Sequence, residues 1–190
     1  MVYYFECYDN SFSSQGYFIV FAAKIWYTKN IIFNFFHMCY QWLKKLPWGK
    51  VVVATVLFAL IDSVLRQVEA LATMKYYLMP EYFSVWSTIM MPKAGPPGAA
   101  FFVAALVGSL LGGLVLSLAY YLLNERHLVG NMWQKAWQFT VKMNILFLVF
   151  SYYPMWLMVR LPIVLIISWF VTGIVITFLS ALVFWKIFKK

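Results

Sequence analysis

Three ionisable residues on one otherwise apolar stretch are the residues of this chain best placed to do chemistry. Asp62, Arg66 and Glu69 are spaced by four and then three positions, so on an α-helix they share one stripe and lie within reach of one another. The opposite side of the same stretch is apolar. Such a helix is expected to turn its charges toward partner helices and its apolar side toward hydrocarbon.

A second polar face occurs on a later apolar stretch, where Gln138 and Lys142 are four positions apart. The helical rise from Lys50 to Asp62 is about 18 Å, and the rise from Trp133 to Lys142 is about 14 Å. Similar depths predict one intramembrane polar cluster in which two acids and two bases neutralise one another. The predicted cluster consists of Asp62, Arg66, Glu69, Lys142 and Gln138.

Three interpretations of this cluster remain open at the level of sequence. It lines a path for a solute or a proton, as intramembrane ionisable groups often do. Alternatively, it is a buried ion-pair network that fixes which helices are neighbours. In the third interpretation Asp62 pairs with Arg66, and Arg66 and Glu69 mark the outer interface of a membrane.

The amino-acid composition indicates what surrounds the helices that carry this polar cluster. Hydrophobic residues make up 64% of the 190 residues and charged residues only 11%, against roughly 45–50% and 25% in soluble domains. One globule of this size cannot bury so much apolar surface, so the solvent is lipid. The composition excludes a disordered tail, a disulfide-rich module and a soluble nucleic-acid binder. The net charge is +9. The basic residues that give rise to it are then expected to contact lipid head groups, and no nucleic-acid partner is expected.

Four apolar stretches are long enough to cross a hydrocarbon core of about 30 Å. They lie at about 50–73, 99–123, 133–152 and 161–185. They lack the polar alternation of barrel strands. The sequence therefore predicts an all-α integral membrane protein, with residues 43–190 forming a four-helix transmembrane bundle.

The basic residues predict the orientation of this bundle. With four spans, eight Lys and Arg fall on the side of the C-terminus and three on the other. The eight are Lys44, Lys45, Lys50, Arg126, Lys135, Lys186, Lys189 and Lys190. Because basic loops stay in the cytoplasm, the C-terminus is expected to be cytoplasmic, in a bacterial inner (plasma) membrane.

The first 42 residues differ from the rest because they contain no leucine. Three interpretations are open for this aromatic-rich segment. It forms an interfacial amphipathic helix, or a helix over 17–36 that spans poorly because Lys24 and Lys29 lie in its middle. In the third, the native chain starts at Met38, and residues 1–37 do not belong to it.

Small residues recur at every fourth position of the second span. These are Ala100, Ala104, Gly108 and Gly112, and the last two form a GxxxG motif. A face without bulky side chains lets two helix backbones approach closely. The pattern favours packing within the chain over packing between two copies.

Motifs of catalysis and of metal or phosphate binding are missing from the sequence, so no cofactor is expected. The first hypothesis is a non-enzymatic helical bundle or accessory subunit, in a homo-oligomer or a larger membrane complex. The alternative is a small transporter or channel for a solute, a proton or an ion that uses the predicted polar cluster. An intramembrane enzyme using the same carboxylates is a third hypothesis.

Overall fold

A computed structural model describes residues 44, 46–85 and 97–189 of the chain. The chain divides into two compact units, Met1–Leu46 and Pro47–Lys190, and every helix considered below belongs to the second. The predicted N-terminal segment 1–42 lies outside the described residues, and so do residues 86–96 of the loop after the first span. The three interpretations of the N-terminal segment therefore stay predictions.

The described part of the second unit is built from helices, with no strand among these residues. Four of the helical rods are long and apolar enough to cross a membrane, which confirms the predicted helical fold class at that level. The elements are α1 (Trp48–Ala72), α2 (Met74–Tyr77), a 3-10 turn (Pro80–Val85), α3 (Ala99–Arg126), α4 (Met132–Phe147), a π segment (Leu148–Tyr152), α5 (Tyr153–Met158) and α6 (Ile163–Phe188).

The third rod runs further than the sequence pattern predicts. The prediction ends it near residue 152, before Pro154, whereas α4, the π segment and α5 continue to Met158. Pro154 stands in the first turn of α5, directly after the π segment. A wider π turn interrupts the regular hydrogen-bond ladder, so the missing N–H and the ring of a proline are accommodated there. The polypeptide then turns at 159–162.

Helix α1 packs along both α3 and α6, and α4 packs along α6. Helix α3 meets α4 near their connecting turn, where the ring of Tyr120 lies 5.0 Å from that of Phe139. The core is concentrated at this end, around the fully buried Tyr120, Phe139 and Phe184. We call it the lysine end because Lys50, Lys135, Lys186 and Lys189 lie there. The other end, near Ala72 and Ile163, is called the open end.

Helices α1 and α3 approach each other closely at Gly113. A Cβ atom there would lie 2.9 Å from the Thr55 carbonyl oxygen and 2.9 Å from a Phe58 ring carbon. A side chain at position 113 would therefore push the helices apart. Nearby, the hydroxyls of Thr55 and Ser117 are 3.4 Å apart and form a hydrogen bond.

The predicted small-residue stripe coincides with this contact at one end only. A Cβ at Gly112 would lie 3.8 Å from the Phe58 ring, whereas one at Gly108 would have no atom within 4 Å. Ala100 and Ala104 are exposed. Positions four apart rotate by about 40° per step on a helix of 3.6 residues per turn, so the stripe turns away from α1 by about 120° over its length. Among the described residues, nothing packs closely against Gly108, and the expectation of internal packing at Ala100, Ala104 and Gly108 stays a prediction.

Candidate functional site

A cavity of about 1360 Å³ lies between α1, α3, α6 and the π segment. Its floor is made of Phe58, Leu116 and Ile176, which also belong to the core of the lysine end. It extends to the open end, where Leu78 and Pro97 line it. The cavity is thus closed by packed core at the lysine end, while several of its lining side chains, among them Leu106, Leu111 and Val115, are exposed.

The side chains of Asp62 and Arg66 lie in the cavity wall on α1. The Nε of Arg66 donates to Oδ1 of Asp62 at 3.4 Å, as expected for a pair four positions apart. Ser109 of α3 donates to the other oxygen, Oδ2, at 2.5 Å. The Asp62 side chain is 15% exposed and the Arg66 side chain 42%, so the carboxylate is held by its partners while the guanidinium reaches into the cavity.

Glu69 lies two helical turns beyond Asp62 and is buried, with 7% of its surface exposed. Its Oε1 accepts a hydrogen bond from Ser168 of α6 at 2.8 Å, and it lies 2.9 Å from the Thr73 hydroxyl, whose single hydrogen is shared with the Glu69 carbonyl oxygen at 2.8 Å. Among the described residues, no Lys, Arg or His nitrogen lies within 4.0 Å of this carboxylate. Two hydroxyls therefore satisfy Glu69, and no basic side chain of the described part neutralises it.

Two aromatic residues complete the wall at the open end. Trp169 of α6 donates from Nε1 to the hydroxyl of Tyr77 at 2.6 Å, and their ring centroids are 6.3 Å apart. The Tyr152 hydroxyl donates to the Trp169 carbonyl oxygen at 3.1 Å. Burial, and to a smaller extent the negative charge of Glu69, raise the pKa of Tyr77 to about 12. The Tyr77 hydroxyl is therefore protonated at neutral pH.

The structure does not bring Gln138 and Lys142 to these carboxylates. The Gln138 amide bonds to both backbone groups of Val129, at 3.2 and 3.0 Å. The Lys142 ammonium donates to the His127 carbonyl oxygen at 3.1 Å. The expected pairing with the acids fails because α4 packs along α6, while the acids are on α1, and because a long lysine stem can carry its charge to a helix end.

The polar face of α4 instead organises the turn between α3 and α4. Asn131 caps the helix, exchanging hydrogen bonds with Gln134 in both directions at 3.0 Å. Gly130 precedes this cap with φ of 102°, a backbone conformation that glycine adopts without strain. Lys135 donates to the Asn124 side chain at 3.0 Å. These residues hold the turn between α3 and α4 in place at the lysine end. They do not line the cavity, which lies between α1, α3, α6 and the π segment.

Sequence reasoning missed three residues of the cavity wall, Ser109, Tyr77 and Trp169, and also missed Ser168, which bonds to Glu69. Ser109 and Ser168 are single hydroxyls in long apolar stretches, and a serine in a membrane helix often bonds to its own backbone. Tyr77 and Trp169 have the composition of interfacial aromatics. The signal that could have led to the serines was Glu69, which has no basic partner on its own stripe other than Arg66, already assigned to Asp62. A buried carboxylate of this kind requires hydrogen-bond donors from some neighbouring element.

Comparisons of the chain with protein-family models, with curated proteins and with solved structures give no match. The cavity is therefore the feature of the chain that bears on its function. Its wall presents two carboxylates, from Asp62 and Glu69, against the one guanidinium of Arg66. Around them the lining is mostly aliphatic and aromatic, the composition typical of sites that bind small molecules.

Proposed function

We propose that this chain is a multi-pass integral membrane protein that transports a small solute through the cavity between α1, α3 and α6. The observation that carries the proposal is the position of Asp62, Arg66 and Glu69 in the wall of that cavity. Charged groups are costly inside a membrane, and they are retained chiefly where they line a path or a binding site. Clefts between the helices of a bundle are common places for such sites.

The four long apolar helices support insertion into a bilayer. The lysines at the lysine end support a cytoplasmic location for that end and for the C-terminus, in a bacterial inner membrane, because basic residues are retained inside. In this orientation the cavity extends toward the outer side.

A transporter fits the cavity better than a channel does. A channel needs a continuous path, whereas Phe58, Leu116 and Ile176 form a packed floor under this cavity. A site that is reached from one side at a time is the property that alternating access requires. The described conformation then corresponds to the outward-facing state of the transport cycle.

Accessibility of two serine positions on α3 tests this proposal. Ser109 lies on the cavity wall, and Ser117 is fully buried about two turns closer to the lysine end. In a chain carrying C7S and C39S, S109C should react with a membrane-impermeant thiol reagent added outside sealed vesicles, and S117C should not. The proposal is wrong if S109C does not react from outside, or if S117C reacts as fast.

The role of a non-enzymatic accessory subunit is the second candidate. It is favoured by the small residues Ala100, Ala104 and Gly108, which the described part of the chain leaves uncovered on α3. A second helix could pack closely against that face. If this candidate is correct, Gly108→Ile should abolish co-purification of an identical or different subunit from mild detergent. Purification of the wild type as a lone monomer would count against it.

A further inference from the structure

We propose that the ligand of the cavity is a monovalent organic cation with an apolar body, held through its charge by Glu69 and through its apolar body by the aromatic wall. This inference rests on the proposed function, because it names the class of solute for the same cavity. It assigns the recognition of charge to Glu69 and gives Asp62 and Arg66 a different role.

The charges of the wall select a cation. The Asp62 carboxylate is already paired with Arg66 and bonded to Ser109. The Glu69 carboxylate has hydroxyl partners and no basic partner among the described residues. The charges of the described lining residues therefore sum to minus one, and they lie among mostly apolar side chains. A buried carboxylate is stabilised most by a cation at short range.

The rings beside Glu69 suit an organic cation better than a metal ion. Tyr77 and Trp169 both line the cavity, and the hydrogen bond between them fixes their relative position. Aromatic faces attract ammonium and other soft organic cations, most strongly where water is excluded. Among the described residues no group of three or more metal-binding side chains occurs. The structure thus combines a carboxylate and two aromatic rings around one space.

The remaining wall accommodates an apolar body. Phe58, Phe101, Leu106 and Leu116 line the cavity from its floor toward the open end. Glu69 lies three residues before the end of α1. A bound molecule would therefore place its charge near the open end and its apolar part toward the floor. The head group of a membrane lipid and a free lipophilic cation share this chemistry.

Binding of tetraphenylphosphonium tests the inference, and tetraphenylborate serves as its shape-matched anion. The full chain is placed in nanodiscs of phosphatidylglycerol, which has no ammonium group, and equilibrium binding of each ion is measured. We expect wild type to bind the cation at least about tenfold more tightly than Glu69→Gln does. Glu81→Gln is the matched control, since it removes the same charge from an exposed residue outside the cavity lining. It should bind like wild type.

A second variant covers the case in which Glu69→Gln fails to fold. Arg66→Gln makes the wall more negative, so this variant should bind the cation more tightly than wild type does. If the charged residues had a purely structural role, the same variant would bind the cation more weakly. The inference is overturned if the borate binds as well as the phosphonium, or if Glu69→Gln is folded and binds like wild type. It is also overturned if Arg66→Gln weakens binding of the cation.

The lipid composition distinguishes the two sources of the cation. Replacing part of the phosphatidylglycerol by phosphatidylcholine weakens phosphonium binding to wild type, relative to Glu69→Gln, if a lipid head group occupies the site. Unchanged binding identifies a free lipophilic cation as the ligand. Reactivity of S109C from outside without any preference for the cation would disprove this inference alone, whereas an unreactive S109C disproves the transport function.

Discussion

Ser168 of α6 donates a hydrogen bond of 2.8 Å to the carboxylate of Glu69 on α1. This bond joins two helices at the open end, whereas apolar contacts around Tyr120 join the helices at the lysine end. The charged residue of the cavity is therefore also part of what holds α1 and α6 together. We therefore expect a change at Glu69 to affect both the stability of the chain and the proposed binding of a ligand.

Substitution of Ser168 by alanine should measure how much its hydrogen bond to Glu69 contributes to the stability of the chain. Ser168→Ala leaves Glu69 with Thr73 as its donor, and hydrogen bonds to charged groups contribute about 1.5–3 kcal/mol. We expect the free energy of unfolding in mixed micelles to fall by about that amount. Ser151→Ala is the control, because Ser151 lines the same cavity but is exposed. Equal stabilities of the two variants would show that the bond contributes nothing.

Two glycines of α3 make a matched pair for the contact with α1. Gly113→Ala places a Cβ 2.9 Å from the Thr55 carbonyl oxygen, and overpacking of this kind costs about 1–3 kcal/mol. Gly108→Ala meets no atom within 4 Å and should leave the monomer as stable or slightly more stable, since alanine favours helix. Denaturation in micelles measures both. A loss of stability at Gly108 alone would contradict the described packing.

Lys142 should have no part in ligand binding. Its ammonium bonds to the His127 carbonyl oxygen at the lysine end, away from the cavity wall. We therefore expect Lys142→Met to bind tetraphenylphosphonium like wild type, within about twofold. A loss as large as that of Glu69→Gln would restore the single cluster of acids and bases that the sequence predicts.

The buried hydroxyl of Tyr77 predicts a pH dependence of stability. Its pKa is raised from 10 to about 12 by burial, so the folded chain holds this proton more tightly than the unfolded chain. The contribution of the protonated Tyr77 to the free energy of unfolding is fully present below pH 10 and is lost as the pH rises through 12. The free energy of unfolding should fall by about 2–3 kcal/mol over this range. Tyr77→Phe should remove this part of the pH dependence. Tyrosinate absorbance, as the difference between wild type and Tyr77→Phe, should show a group titrating near pH 12; titration at the ordinary value would contradict the burial.

Apolar length was sufficient to predict the four long helices, because only residue type and count decide whether a helix can span. It failed at Pro154, since the π segment that accommodates the proline has no simple signature in sequence. The spacing of Asp62, Arg66 and Glu69 placed them on one face of α1, and all three line the cavity. Helical periodicity describes one helix at a time, so it could not show that α1 packs on α3 and α6.

The same limit explains why Lys142 lies away from the carboxylates and why the small-residue stripe meets α1 at one end only. Equal depth in two helices does not make them neighbours, and α4 lies against α6. A four-residue repeat drifts around the helix, so the tight contact with α1 is made by Gly113, beside the motif. Some hydrogen bonds join residues far apart in sequence, such as the bond from Trp169 to Tyr77. They depend on which helices are neighbours, so residue spacing within one helix could not predict them.

Uptake of an organic cation into sealed proteoliposomes tests whether the chain transports such a cation and whether Glu69 is required for it. Ethidium is added outside vesicles that contain DNA, under an inside-negative potential, and its fluorescence reports entry. We expect faster entry with wild type, Glu81→Gln and Lys142→Met than with empty vesicles. With folded Glu69→Gln, we expect entry at the empty-vesicle rate. Entry with Glu69→Gln as fast as with wild type, or no acceleration by wild type, would contradict these expectations.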